Sequence, residues 1–175
     1  MNEKDAVELL RHYRHDYLND LQLVMGYLQL GKQEKAEKKL IDIVEKSNME
    51  RKLDQLQIPK TTVFLHQTNM NSTQLKISTM VLFQADIHEI DTQLKSNLEE
   101  MLIDLTNFLV EYEEYQLKLS FVANHANHVV LELLIEGHLN NEKTFIEKYM
   151  QKSYIHSIKK QTDKQLVIEW IELKK

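Results

Sequence analysis

Arg11-His12-Tyr13-Arg14-His15-Asp16-Tyr17-Leu18-Asn19-Asp20-Leu21-Gln22 carries two helical patterns at once. Val7, Leu10, Tyr17, Leu21, Val24 and Leu28 recur at heptad spacing across it, widened by Leu18 and Met25, and only Arg14 breaks the series. That apolar stripe predicts one amphipathic helix from residue 3 to 30. A polar line runs beside it. Helical spacing sets His15 next to Arg11 and His12 one turn before, and next to Asn19 and Gln22 after. Gly26 falls on the same line, about three turns beyond His15. His15 is therefore expected on an exposed face, roughly a right angle from the apolar seam.

Gly31 follows the last apolar position, where a left-handed helix end is wanted. A second helix is expected from Gln33 to Leu56, with Ala36, Leu40, Ile43, Val44, Leu53 and Leu56 on its apolar side. Two helices joined by a tight turn make a hairpin, and a lone hairpin leaves much of its apolar stripe in water. Pairing two hairpins into a four-helix bundle covers it, which predicts a homodimer.

Ile58-Pro59 marks the boundary, because proline disfavours helix at the preceding residue. Residues 1–57 are read as the hairpin and 58–175 as a small α+β domain, an antiparallel-rich sheet with helices on one face. A short helix over Thr61–Asn71 and a strand over Leu75–Phe83 are expected, with Ala85–Ile90 extending or pairing with that strand. A helix from Asp91 or Thr92 to Glu114 follows, with Leu94, Leu98, Met101, Leu102, Leu105 and Leu109 on one side. Strands over Leu117–Val122 and Val129–Ile135 flank a turn at Asn124-His125-Ala126-Asn127. A helix over Glu142–Lys152 and a strand over Leu166–Leu173 complete the domain.

Composition narrows the function classes. The chain has 175 residues, 42% of them hydrophobic, with a net charge of −5 and acids and bases interspersed. That argues against broad nucleic-acid affinity, which needs a concentrated basic surface. There is no cysteine, so disulfides, thiolate metal sites and cysteine nucleophiles are excluded. Apolar runs such as Met80–Phe83 are far too short to span a membrane, and Met1–Asp5 leads into no signal region. A cytoplasmic location is expected. The three glycines, Gly26, Gly31 and Gly137, are isolated, and no phosphate-cradling glycine loop can be written from them.

The chemistry centres on His15. Imidazole is nucleophilic near neutral pH, and arginine forks such as Arg11 and Arg14 match phosphate oxygens. Asp16 can orient the ring or hold its Nδ1 proton, which leaves Nε2 to attack. His12 and His15 share a face, but no third metal ligand of suitable type stands with them, so no metal site is assigned.

Arg14-His15-Asp16-Tyr17-Leu18-Asn19-Asp20-Leu21-Gln22 resembles the phospho-acceptor motif of the sporulation initiation phosphotransferase B family, Arg-His-Asp-aromatic-x-Asn-x-Leu-Gln. The same motif opens the dimerisation helix of citrate-sensor-type histidine kinases. Arg11-His12-Tyr13, the hairpin, the Pro59 boundary and the order of later elements extend the resemblance along the chain. Tyr17 replaces the tryptophan associated with the position after Asp16, a change of packing more than of chemistry.

The resemblance implies a histidine-kinase core without kinase activity: a dimeric four-helix bundle and a degenerate kinase-like ATPase domain. His15 would accept a phosphoryl group from the aspartate of one response-regulator receiver domain and pass it to another, in sporulation initiation. Arg11, Arg14, Asp16, Asn19 and Gln22 would bind the phosphoryl group or the partner. Each receiver would bring its own Mg²⁺, so no cofactor of this chain's own is expected. ATP binding is not expected either. Where an Asn-rich helix motif should lie, Glu99–Asn107 keeps only Asp104 and Asn107; where an Asp-x-Gly-x-Gly loop should lie, Leu134–Asn141 keeps only Gly137. No nucleotide-binding residues are assigned. Asp104 and Asn107 read as surface, His125 and His128 as a solvated turn, and Trp170 as core. The competing class is a binding module that sequesters a regulator or sensor without being phosphorylated, with an ATP-dependent kinase core a weaker third.

Overall fold

The structure, a computed structural model, describes residues 3–174. Met1 and Asn2, which the signal-region reading includes, and Lys175 lie outside the described residues. The chain divides into two compact units between Arg51 and Lys52.

In the first unit, α1 (Glu3–Gln29) leads through a tight turn into α2 (Gln33–Gln55), whose last residues lie past the divide. The turn is closed by two backbone bonds, Gly31 N–H to the Leu28 carbonyl at 3.0 Å and Lys32 N–H to the Tyr27 carbonyl at 2.9 Å. That pairing requires a left-handed residue between them, and Gly31 supplies it with φ of +67°. Lys39 on α2 reaches Asp20 on α1 at 2.7 Å and ties the two helices together. Val24 and Ala36 are buried, while Val7, Leu10, Tyr17, Leu28, Leu40 and Val44 remain exposed along the hairpin.

The second unit holds α3 (Pro59–Asn71), β1 (Leu75–Val81), α4 (Asp91–Thr106), β2 (Tyr115–His125), β3 (His128–Glu136), α5 (Glu142–Met150), β4 (Ile155–Thr162) and β5 (Gln165–Leu173). The five strands run in the order β1-β2-β3-β5-β4. Only β1 and β2 are parallel; the other neighbours are antiparallel. Register places Leu117 opposite Ile135, Leu119 opposite Leu133 and Phe121 opposite Leu131, and the row continues through Ile168 and Trp170. All are buried, as are Leu94, Leu98, Met101, Leu102 and Leu105 of α4, so sheet and helix share one core. The alternate residues of β3, from Val130 to Glu136, are half-buried on the opposite face. A helical hairpin followed by a mixed α/β layer is the architecture expected from the sequence.

Proline opens α3 at its first position, and Ile58 offers no side-chain cap. Asp91 takes the role from the start of α4: its carboxylate accepts from the N–H groups of Lys60 and Thr61, both at 2.9 Å.

Two expectations fail locally, and one strand has no counterpart in the sequence reading. Ala85–Ile90 makes no strand; Ile87 N–H bonds the Leu56 carbonyl at 3.0 Å, and His88–Ile90 closes a 3₁₀ turn. α4 stops at Thr106 instead of Glu114. Beyond it Asn140 N–H takes the Phe108 carbonyl at 2.7 Å, Val110 N–H bonds the Tyr115 hydroxyl at 2.8 Å, and Leu109 bridges to Leu139. These bonds use the backbone groups a longer helix would need. Finally, β4 was not anticipated: it is an edge strand, largely exposed, without apolar alternation.

Glu172 on β5 is among the buried polar side chains. It lies opposite Val129 and accepts from Asn97 Nδ2 at 2.6 Å. Burial pushes its carboxyl up from the usual carboxylate value, against the smaller lowering effect of the Asn97 hydrogen bond. A raised folded-state value means that Glu172 contributes stability below the unfolded value near 4.5 and loses it as pH rises through the folded one. Glu172→Gln keeps an acceptor for Asn97 and is expected to raise the neutral-pH melting temperature by roughly 2–4 °C. It should also flatten the decline above that window; thermal unfolding across pH checks both.

Candidate phosphoryl-acceptor site

Helical spacing alone builds the site on α1. His15 has a side chain 70% exposed, and Asp16 beside it is half-exposed. Asn19, one turn on, brings Nδ2 to 3.2 Å from His15 Nδ1. The Asp16 carboxylate lies between two imidazoles, with Oδ1 at 3.6 Å from His15 Nδ1 and Oδ2 at 3.6 Å from His12 Nε2. Polar contacts thus gather on the Nδ1 side of His15.

An amide's oxygen and nitrogen are interchangeable by a half-turn, so Asn19 can donate to a bare Nδ1 or accept from Nδ1–H. A carboxylate only accepts. At 3.6 Å the Asp16 carboxylate is beyond hydrogen-bond length of Nδ1 and acts on the ring through its charge, which is more favourable to a proton on Nδ1 and a lone pair on Nε2.

Of the six residues singled out from sequence, His15, Asp16 and Asn19 are brought into one cluster. Arg11, Arg14 and Gln22 are exposed on the same helix and are not brought onto the His15 ring. Further along, Asn19, Gln22, Leu23, Gly26, Tyr27 and Leu30 line a shallow groove. A Cβ added at Gly26 would meet nothing within 4 Å, so packing within the chain does not call for glycine there. A second groove was not foreseen. Tyr13, Asp16, Tyr17 and Asp20 on α1 face Ile43, Lys46, Ser47 and Glu50 on α2. The signal for it was the hairpin register about Gly31, which sets the middle of α2 against this part of α1.

In the second unit, the positions compared with nucleotide motifs have structural work. Asp104 is not a surface remnant. It accepts from the Tyr149 hydroxyl at 2.8 Å and pairs with Lys148, clasping α5 onto α4. The Lys148 contact holds the Asp104 carboxyl below the usual carboxylate range, and burial pushes the Tyr149 hydroxyl far up. Gly137 has φ of +144°, and a Cβ there would lie 2.3 Å from the Tyr115 ring. His138, next along, is tied by its backbone N–H to Glu113 at 3.0 Å. His125, exposed, and half-buried His128 flank the expected turn and form the last pair of the β2–β3 ladder, with ring centroids 4.7 Å apart. Trp170 is core, as expected.

Residues 1–56 match the sensor kinase SpoOB-type, alpha-helical domain. The SpoOB-type match covers the hairpin and all six candidate site residues. No curated protein matches the chain. Among solved structures, a nucleotide-free form of the catalytic domain of histidine kinase ThkA aligns with a TM-score of 0.46 at 11% identity, over 70% of this chain and 92% of that one. Histidine kinase ThkA in complex with response regulator protein TrrA aligns with a TM-score of 0.36 at 14% identity, over 96% of this chain and 61% of that one. Against the latter, this chain spans less than two-thirds of the length. No helix among the described residues is long and apolar enough to cross a membrane.

Proposed function

We propose that this chain is a phosphorelay histidine phosphotransferase in which His15 carries the phosphoryl group between the aspartates of two receiver domains. The observation that carries the reading is an exposed His15 on a SpoOB-type hairpin, with Asp16 and Asn19 beside its Nδ1. In the forward step the Nε2 lone pair attacks the phosphorus of an aspartyl phosphate. The P–O bond to the donor breaks, and the donor carboxylate leaves with the electron pair. The ring, phosphorylated at Nε2 and still protonated at Nδ1, is cationic, and the Asp16 carboxylate offsets that charge. Arg11 and Arg14, on neighbouring positions, neutralise the phosphoryl oxygens as a receiver docks. The acceptor receiver's aspartate then reverses the step.

Positioning and charge neutralisation supply most of the catalysis in such transfers, and the receivers bring the Mg²⁺. Gln22 and the groove running to Gly26 belong, in this reading, to the receiver's footprint. Mid-helix glycine costs about 1 kcal/mol against alanine, and the open space at Gly26 fits close approach by a partner. ATP has no part. The one glycine of the second unit is used against Tyr115, and the relay serves the initiation of sporulation, as the family resemblance implies.

The reading includes a homodimer. The exposed stripe from Val7 to Leu28, with Leu40 and Val44 opposite, is covered when two hairpins form a four-helix bundle. Sedimentation equilibrium is expected to give twice the 20.8 kDa chain mass; a monomer at micromolar concentration would remove the bundle. Function itself is tested by mixing the protein with a labelled phospho-aspartyl receiver. Transfer of acid-labile, base-stable label is expected, and no transfer from several competent receivers would favour sequestration instead.

A further inference from the structure

We propose that His12 is a positioning residue for the reaction of His15, acting through Asp16; this rests on the phosphotransferase reading above. The Asp16 carboxylate is shared, with Oδ2 toward His12 Nε2 and Oδ1 toward His15 Nδ1, each at 3.6 Å. His12 lies one turn before Asp16, so the contact is built by helix geometry alone. An exposed aspartate held by nothing samples several χ1 rotamers. The His12 ring, with Nε2 3.6 Å from Oδ2, favours electrostatically the rotamer that keeps the second oxygen near His15.

That selection decides which nitrogen of His15 can react. Asn19 serves either tautomer by a half-turn of its amide, so it does not choose between them. Asp16 does, because it accepts only, and it can act only while it stays beside Nδ1. Without His12 the carboxylate swings into solvent, and His15 populates the form protonated at Nε2. That form has no lone pair with which to attack phosphorus. The His12–Asp16 pair is exposed on both sides, where such contacts add little to stability. Its effect falls on the tautomer and the rate, and the fold is left as it was.

The test reads the His15 tautomer directly, by long-range ¹H–¹⁵N correlation NMR near neutral pH, in wild type, His12→Ala, Asp16→Asn and the double variant. Single-turnover transfer from a phospho-aspartyl receiver is followed in the same four proteins. In the neutral ring of wild type, the Nδ1–H form is expected to dominate, and it should fall in His12→Ala. The transfer rate should fall with it, about 5-fold, at unchanged half-saturating receiver concentration. Asp16→Asn should lower both, and adding His12→Ala to it should change neither further. An unaltered tautomer in His12→Ala, or an equal loss in the Asp16→Asn background, would overturn the proposal. If wild type accepts no phosphoryl group while His12 still sets the tautomer, the phosphotransferase reading has failed and the contact is geometry without function.

Discussion

His15→Ala is expected to lower phosphoryl uptake from a receiver domain by more than about 10³-fold, with the hairpin intact. The substitution removes the only group in the SpoOB-type motif whose lone pair can form the P–N bond. His12 lies on the same face, but its Nε2 is turned to Asp16, so it does not substitute for the nucleophile. Structural damage is not expected. The His15 side chain is 70% exposed, its polar neighbours Asp16 and Asn19 lie on the same helix, and alanine is the better helix former by a few tenths of a kcal/mol. Circular dichroism and dimer mass should match wild type. A variant that unfolds, or one that still accepts label at a comparable rate, would move the acceptor elsewhere.

The second large effect concerns stability. Gly137→Ala should destabilise the protein by about 3–4 kcal/mol, because strain and overlap act together. At φ of +144° an L side chain is rarely tolerated, and the new Cβ would lie 2.3 Å and 2.4 Å from two carbons of the Tyr115 ring. The ring cannot simply withdraw. Tyr115 is fully buried, its hydroxyl donates to the His138 carbonyl, and Val110 N–H bonds that hydroxyl at 2.8 Å. Urea unfolding should show the loss as a lower midpoint at unchanged slope, with melting roughly 10 °C lower. A shift under about 1 kcal/mol would mean that Gly137 is not held against Tyr115, and would reopen its reading as a nucleotide-loop remnant.

The hairpin was legible because one helix carried its whole argument in spacing. Heptad positions gave α1, Gly31 gave its end, and a four-residue step gave the His15–Asn19 contact at 3.2 Å. Residues whose role depends on distant chain were harder to read. Leu109 keeps the apolar phase of α4, yet its backbone pairs with Leu139, so periodicity ran past the true end of the helix. β4 sits at the sheet edge with Lys159, Lys160 and Gln161 exposed, and an edge strand need not alternate. Asp104 looked like surface because its partners, Lys148 and Tyr149, come from a helix more than forty residues later. The α2 wall of the groove beside Asp16 is likewise a product of hairpin register; no local motif marks it.

Phosphate is expected to reach His15 from an aspartyl phosphate and not from ATP. The most direct measurement incubates wild-type protein, in parallel, with a labelled phospho-receiver plus Mg²⁺ and with γ-labelled ATP plus Mg²⁺. His15 should be labelled from the receiver, reversibly on adding a second receiver, with no label from ATP. Labelling from ATP would contradict this and make the chain a kinase core.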